Sequence, residues 1–431
     1  MSEQDGTQAS TLQRPVNDDQ EAWEAYWKAQ SQEWRTEPEI DAERQKYLDE
    51  RRSIEPDTEE GIYPFMNIKL SRADVEWLLV THENGRGPID WSDESQRERE
   101  GLDLRGADLR NIDLRALPLA GTIGAAIGAN RARAEIIHLE GAHLDGVHLE
   151  GAHLSEVCLE NARLNYAHLE RAYLYAAHLE NAHLNHAHLE GASLNHAHLE
   201  GASLVASFFD SLTDLERVVL DTKEYGGFFI ADIHWGDVNV AVVDWSSLSI
   251  LGDELYAARK QQRMYYYDGK LQVSELYLVE CRAAVRAYRQ LAVVLRNQGL
   301  NEDAARFAYR AQLMQRKVFW YQGKFAQHLG SLFLDLLAGY GYKPWRSFLA
   351  YLLVITAFAT AYFIIGHTVG PVLSPLGSFV FSMTSFHGRG FFPGGITLDD
   401  PLTVVAAFEA FIGLLIEVTF IATLTQRLFG K

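Results

Sequence analysis

Nine histidines and seven glutamates in the middle of the chain fall on a lattice whose spacing could do chemistry. His138, His143, His148, His153, His168, His178, His183, His188 and His198 each stand directly before a leucine. Glu140, Glu150, Glu160, Glu170, Glu180, Glu190 and Glu200 each stand directly after one. If residues 20 apart share one side of the fold, His148, His168 and His188 stack beside Glu150, Glu170 and Glu190. A second side then carries His138, His178 and His198 beside Glu140, Glu160, Glu180 and Glu200. At a strand spacing of about 4.8 Å, stacked glutamates repel, and neighbouring protonated imidazoles relieve the repulsion. Imidazoles titrate near neutrality. Two readings stay open: a pH- or divalent-cation-sensing ladder, or a solvated face whose repeats were copied by duplication.

The element that must position this lattice has a period of five. Leucine occupies 104, 109, 114 and 119, is lost through a Gly/Ala-rich stretch at 120–134, and returns every five residues from 139 to 204. The gap from 119 to 139 is a multiple of five, so the frame survives it. A small residue stands two positions before each leucine, as in Ala142, Val147, Ala152 and Ala162. Neither a helical nor a strand period explains this. A square-sectioned helix of short strands does, with one pentad per side, four per coil, leucine inside and the small residue letting the corner close. The unit resembles that of the pentapeptide-repeat family, roughly Ala-(Asp/Asn)-Leu-x-x; GADLRNIDLR at 106–115 and the later EGAHL and ENAHL carry the likeness. The resemblance covers about 100–210 and implies a right-handed quadrilateral β-helix.

A second run, Ala231-Asp232-Ile233, Gly236-Asp237-Val238, Ala241-Val242-Val243 and Ser246-Ser247-Leu248, keeps a small-x-large unit. From 204 to 233 is 29 residues, which predicts an insertion near 209–226 followed by one more coil. The β-helix is thus expected over 101–252, closed by the polar segment after Gly252. Residues 1–62 read as an acidic N-terminal helical region and linker, in which Trp23, Trp27 and Trp34 recur at helical spacing. Residues 63–100 read as the N-terminal cap. There Ser71 and Asp74 predict a capping box, and a helix over Arg72–Thr81 covers the open edge. Residues 275–325 read as a helical hairpin broken at Gly299. Leu291–Leu313 resembles a single tetratricopeptide unit, with Gly299, Ala304 and Ala311 at that motif's spacing and Ala308 in place of its usual aromatic. One unit makes no solenoid, so the hairpin either couples the repeats to the next region or holds subunits together.

Residues 326–344 read as an interfacial helix and juxtamembrane turn, and 345–431 as a two-span membrane domain. Trp345–Ile365 carries one charge, Arg346, and Leu402–Leu424 carries two, Glu409 and Glu417. Each has about the 20 residues that cross a bilayer core. Lys343 and Arg346 before the first span, with Arg427 and Lys431 after the second, predict that both termini are cytoplasmic. Between the spans, an apolar stretch leads into Thr384, Ser385, Phe386, His387, Gly388, Arg389 and Gly390. This resembles the pore loop of two-transmembrane potassium-channel-type proteins, and Glu409 followed by Gly413 resembles the Glu-x-x-x-Gly of their inner helix. The resemblance covers about 345–428. It implies a homo-tetramer, passage of potassium or other cations, a hinge at Gly413, and filter carbonyls that replace an ion's hydration shell. Arg389 stands where the family has tyrosine, and aligning Gly388-Arg389-Gly390 on the family's Gly-Tyr-Gly requires one extra residue. Glu409 is placed to brace the pore loop. Glu417, on the face of Gly413, faces either the pore or another protein group.

Net charge is −19, against a general nucleic-acid binder. Cys158 and Cys281 show no metal-ligand spacing and form no disulfide framework. The N-terminus, MSEQDGTQAS, has no basic, apolar leader, so a cleaved signal peptide is not expected. No nucleophile–base pair, phosphate loop or metal-ligand spacing marks an enzyme, and no cofactor is expected. The reading that follows is an ion-channel-like protein of the inner (plasma) membrane with a β-helix as sensor or docking module for an unidentified protein. The rivals are a membrane-anchored scaffold that conducts nothing and an acidic DNA mimic directed at a topoisomerase.

Overall fold

A computed structural model describes residues 13–15, 19–125, 135–221, 226–261, 266–267, 270–271, 275–368, 372–388 and 400–429. The chain divides into two compact units, residues 1–264 with 293–303, and residues 265–292 with 304–431.

In the first unit the five-residue period becomes a coil. One residue of each pentad pairs in parallel with the residue 20 further on, as His138 with Cys158, His148 with His168 and His178 with His198. Among the described repeats these pairings are isolated bridges, so the expected short strands shrink to one bridged residue per pentad. The remaining residues make a turn. Ala142 N–H donates to Leu139 O at 3.0 Å, and the third turn residue, Gly141, has φ of +67°. That is the type II pattern. Asn161, Tyr166 and His186 hold the same left-handed position. A side chain there costs roughly 1–2 kcal/mol, and hydrogen bonds to the adjoining coils hold it in place. The small residue expected at the corner therefore does something else. Ala142, Ala152 and Ala162 are fully buried beside the leucines, and the residue before each turns the corner. Leu144, Leu154 and Leu164 are also fully buried, each contributing about 2 kcal/mol of apolar burial.

The two frame breaks differ in kind. Asp108 pairs with His138 and Pro118 with His148, 30 residues apart, so two whole pentads are added and the frame is kept. The break after 204 is not one insertion. Ser193 pairs with Asp214 and His198 with Val219, so one extra residue enters before 214 and the coil goes on through 209–221. Ser203 then pairs with Phe229, which adds five more residues. The second run is also framed differently from the sequence reading. Ile233 N–H donates to Ile230 O, and Val238 N–H to Trp235 O, the bonds that alanine makes to leucine upstream. Ile233, Val238, Val243 and Leu248 thus fill the small-residue slot, while Ile230, Trp235, Val240 and Trp245 fill the leucine slot. Bulky residues in both slots erase the size contrast on which the sequence frame rests.

Both ends of the coil are closed. Ser71 caps the helix Arg72–Val80 in a full capping box with Asp74, as their spacing predicts. Just before it, Lys69 pairs with Asp108 and Ile68 O accepts from Asp108 N–H at 2.9 Å, covering the first edge. Glu76, fully buried, accepts from Thr36 N–H, Glu37 N–H and Arg72, tying down the N-terminal segment. Trp23 and Trp27 are buried on the helix Gln20–Ala29, but Trp34 lies beyond it, because the chain turns at Ser31 with φ of +60°. At the far end the helix Gly252–Gln261 follows the last coil. Asp253 in its first turn accepts from Ile230 N–H at 3.0 Å, a donor that another coil would otherwise use. Gln298 also closes on this end. Its Nε2 donates to Val238 O at 2.7 Å, and its Oε1 accepts from Val240 N–H at 2.8 Å.

The second unit is helical. Tyr288 on the helix Glu275–Asn297 stacks on Phe307 of Asn301–Tyr321, and Gly299 between these helices has φ of +84°. Phe325–Ala338 comes next, then a turn at Gly339–Gly341. Asp335 joins three elements, accepting from Tyr309 Oη at 2.9 Å, Arg316 at 2.7 Å and Arg346 at 3.0 Å. Burial pushes its carboxyl up, but Arg316 and Tyr309 more than offset this and hold it below the usual range. The remaining helices are Pro344–Thr368, Pro375–Phe386 and Pro401–Phe429.

Candidate functional site

On the coil the histidine and glutamate columns become two ladders. The rings of His148 and His168 stack at 4.6 Å, and those of His168 and His188 at 5.0 Å. Phe208 and His234 extend the same column, at 4.7 and 4.4 Å. On the other side His178 stacks on His198 at 4.9 Å. Because imidazole and carboxylate stand two residues apart across one bridge, each histidine reaches its own glutamate. His148 Nδ1 lies 2.8 Å from Glu150 Oε1, His168 Nδ1 3.1 Å from Glu170 Oε1, and His188 Nδ1 3.3 Å from Glu190 Oε1. An ionised carboxylate only accepts, so Nδ1 carries the hydrogen and Nε2 is left as the free lone pair. The bond to Glu150 raises the His148 pKa above its ordinary value, against burial. Burial pushes Glu180 up, but its hydrogen bonds, with His178 foremost, hold it below the usual carboxylate range.

Two helices of the second unit are long and apolar enough to cross a membrane, Trp345–Thr368 with mean hydropathy 2.3 and Pro401–Thr423 with 2.2. Phe348, Leu353, Phe408, Phe411 and Ile421 are exposed along them, and large apolar side chains exposed in such number mark a surface that lipid or another protein covers. Between them Pro375–Phe386 has 12 residues, begun by Ser374, whose Oγ accepts from Gly377 N–H. Twelve residues reach about 18 Å, well short of the roughly 30 Å core.

This short helix is fastened to both long ones. Glu409 is fully buried and accepts from Tyr362 Oη and Ser382 Oγ, so one carboxylate joins all three helices. Gly413 lets the short helix end against Pro401–Phe429, since a Cβ there would lie 2.1 Å from Phe386 O. The glycine is thus a point of close approach. Thr384, Ser385 and Phe386 belong to the last turn of the short helix, and Thr384 Oγ1 donates back to Phe381 O at 2.9 Å. They are not the extended, carbonyl-lined filter that the resemblance implies, because helical φ/ψ align their carbonyls with the helix axis. His387 and Gly388 follow the helix, and Arg389 and Gly390 lie outside the described residues. His387 Nδ1 pairs with Glu417 Oε1, and both side chains remain more than one-third exposed.

Residues 137–171 and 172–209 match the family model described as pentapeptide repeats, in 8 copies. The chain carries pentapeptide repeats. Similar solved structures include alr5209, a pentapeptide repeat protein from Nostoc Pcc 7120, at 26% identity over 28% of this chain and 84% of that one, with a TM-score of 0.20. Rfr23, a pentapeptide repeat protein from the cyanobacterium Cyanothece 51142, is 28% identical over 30% of this chain and 88% of that one, at a TM-score of 0.16. QnrB1, a plasmid-mediated fluoroquinolone resistance protein, is 12% identical over 38% and 86%, at 0.18. No curated protein sequence matches the chain.

Beside the pentapeptide ladders, sequence reasoning passed over several functional-looking groups. Asp145, Asn165 and Asn185 form a third column, in which Asn165 Nδ2 donates to Asp145 Oδ1 at 2.8 Å and Asn185 Nδ2 to Asn165 Oδ1 at 2.9 Å. Their spacing of 20 was visible in the sequence. The Asp335 junction, the Asp253 cap and the Gln298 contacts join residues with no common period, and nothing in the sequence pairs them.

Proposed function

We propose that the chain is a multi-pass protein of the inner (plasma) membrane whose second unit assembles with further copies into a cation pore. The pentapeptide coil is read as a right-handed quadrilateral β-helix, acting as a cytoplasmic sensor or docking module with no catalytic role. The observation that carries this reading is the short helix Pro375–Phe386, pinned by Glu409 between two membrane-length helices. A helix of this length turns the chain back at membrane depth, and irregular backbone there must be enclosed by protein or line water. The half-exposed His387–Glu417 pair makes the same demand, since ionisable groups at that depth face a cavity or a partner. Other copies around a water-filled axis meet both demands. Four is the number that the potassium-channel resemblance implies. The C-terminal end of the short helix carries about half a negative charge, which favours cations over anions at that axis.

The test is purification in detergent followed by reconstitution into planar bilayers under a potassium chloride gradient. A mass of four chains and a reversal potential on the cation side are expected. A monomer, an anion-selective current, or silence from well-folded tetramers would overturn the pore and leave a membrane-anchored scaffold.

A further inference from the structure

The pentapeptide ladder holds a carboxylate that its own surroundings do not satisfy. Glu150 is 5% exposed, and its Oε2 has no hydrogen-bond partner, while Oε1 meets His148 Nδ1. A buried carboxylate oxygen without a partner is costly unless a cation compensates it. Beside it stands the next coil's imidazole. His148, Glu150 and His168 each offer one ligand atom, and the three atoms all lie within 4.8 Å of one another. One coil further along, Glu170, His188 and Glu190 make a related cluster within the same limit, with two carboxylates and one imidazole. Glu200, 3% exposed and with Oε2 also unpartnered, sits with His198 and Glu180 on the other ladder.

We propose that the His148–Glu150–His168 cluster binds a divalent first-row transition-metal ion, and that the one-imidazole, two-carboxylate clusters Glu170–His188–Glu190 and Glu180–His198–Glu200 hold further ions along the coil. Two imidazoles with a carboxylate form a nitrogen-and-oxygen set that suits Zn²⁺ and its neighbours. Calcium and magnesium prefer all-oxygen shells of carboxylates, carbonyls and water, so two imidazole nitrogens favour a transition metal over either. A bound cation would also screen Glu150 from the stacked carboxylates of Glu170 and Glu190. The site has no sequence motif because its ligands come from neighbouring coils, 20 residues apart, rather than from one loop.

The probe is Zn²⁺ itself, with untagged full-length protein in detergent, stripped by EDTA and dialysed against buffered free zinc. Metal content and calorimetric titration are the readouts. Wild type is expected to hold more than one equivalent at micromolar free zinc. His148→Asn, at a side chain that is 45% exposed, is expected to lose one equivalent or weaken it at least tenfold, with an unchanged melting curve in EDTA. Glu150→Gln is the second variant and should do the same. His186→Asn, off the ladder on the Tyr166 stack, should bind like wild type. The proposal is overturned if stripped wild type takes up no zinc, or if both ladder variants hold as much as wild type.

Discussion

Replacing Asp253 by Asn should stabilise the repeat unit at neutral pH and leave it unchanged or slightly weaker in acid. Asp253 is 6% exposed, and burial pushes its carboxyl from 3.8 up to about 6 while Ile230 N–H donates to it. The fold therefore disfavours the charged form, so the native state binds the proton more tightly than the unfolded chain does. Stability falls as pH rises from about 4 through about 6, and above that the full cost is in place. About two pKa units at 1.36 kcal/mol each make that cost about 3 kcal/mol. Asparagine never ionises and keeps one acceptor for Ile230, but its NH2 cannot accept from the Ala231 N–H that the carboxylate also accepts from, a loss of about 1 kcal/mol. A net gain of about 2 kcal/mol remains at pH 8, or roughly 4–8 °C in melting midpoint for a unit of this size. The assay is thermal melting of wild type and Asp253→Asn in detergent at pH 4 and pH 8, followed by far-UV circular dichroism. The same difference at both pH values would refute the reasoning, because only the titrating carboxyl makes it pH-dependent.

Three further outcomes are expected. Leu169→Asp, at a position 1% exposed, should unfold the coil cooperatively, since an unpaired buried carboxylate costs several kcal/mol and each coil rests on its neighbours; an unchanged dichroism spectrum and midpoint would show that the leucine column does not face inward. Gly413→Val should detach the short helix from Pro401–Phe429, because even a Cβ would sit 2.1 Å from Phe386 O; detergent-stable oligomers should be lost while the repeat unit melts as in wild type, and oligomers that persist would count against this packing. A cysteine engineered at Thr397, outside the described residues, should react with an impermeant thiol reagent in intact cells, and one at Gln312 should not; reversed labelling would overturn the proposed topology.

The sequence by itself determined whatever repeats. The period of five placed the leucines inside the coil and, through a coil of 20, aligned His148 with His168 and His188. It foretold the Ser71–Asp74 capping box as well, because a cap is a local event of four residues. Long, mostly apolar runs marked two helices able to cross a membrane, because crossing hydrocarbon sets a length and a composition rather than a particular neighbour. Tertiary structure decided what depends on non-periodic partners. The frame after 204 was misread because Ile233 and Trp235 both fill interior slots, and only the parallel bridges reveal which is which. Gly413 reads as a hinge by resemblance, yet the approach of Phe386 O gives it a packing role. Thr384 reads as filter by resemblance, yet it lies in the last turn of a helix. Glu150 is one of seven equivalent glutamates in the sequence; near-complete burial sets it and Glu200 apart, and the grouping with both His148 and His168 distinguishes it from Glu200. Burial and contact between distant segments set the energy of a charge or a missing side chain, and no local pattern in the chain encodes them.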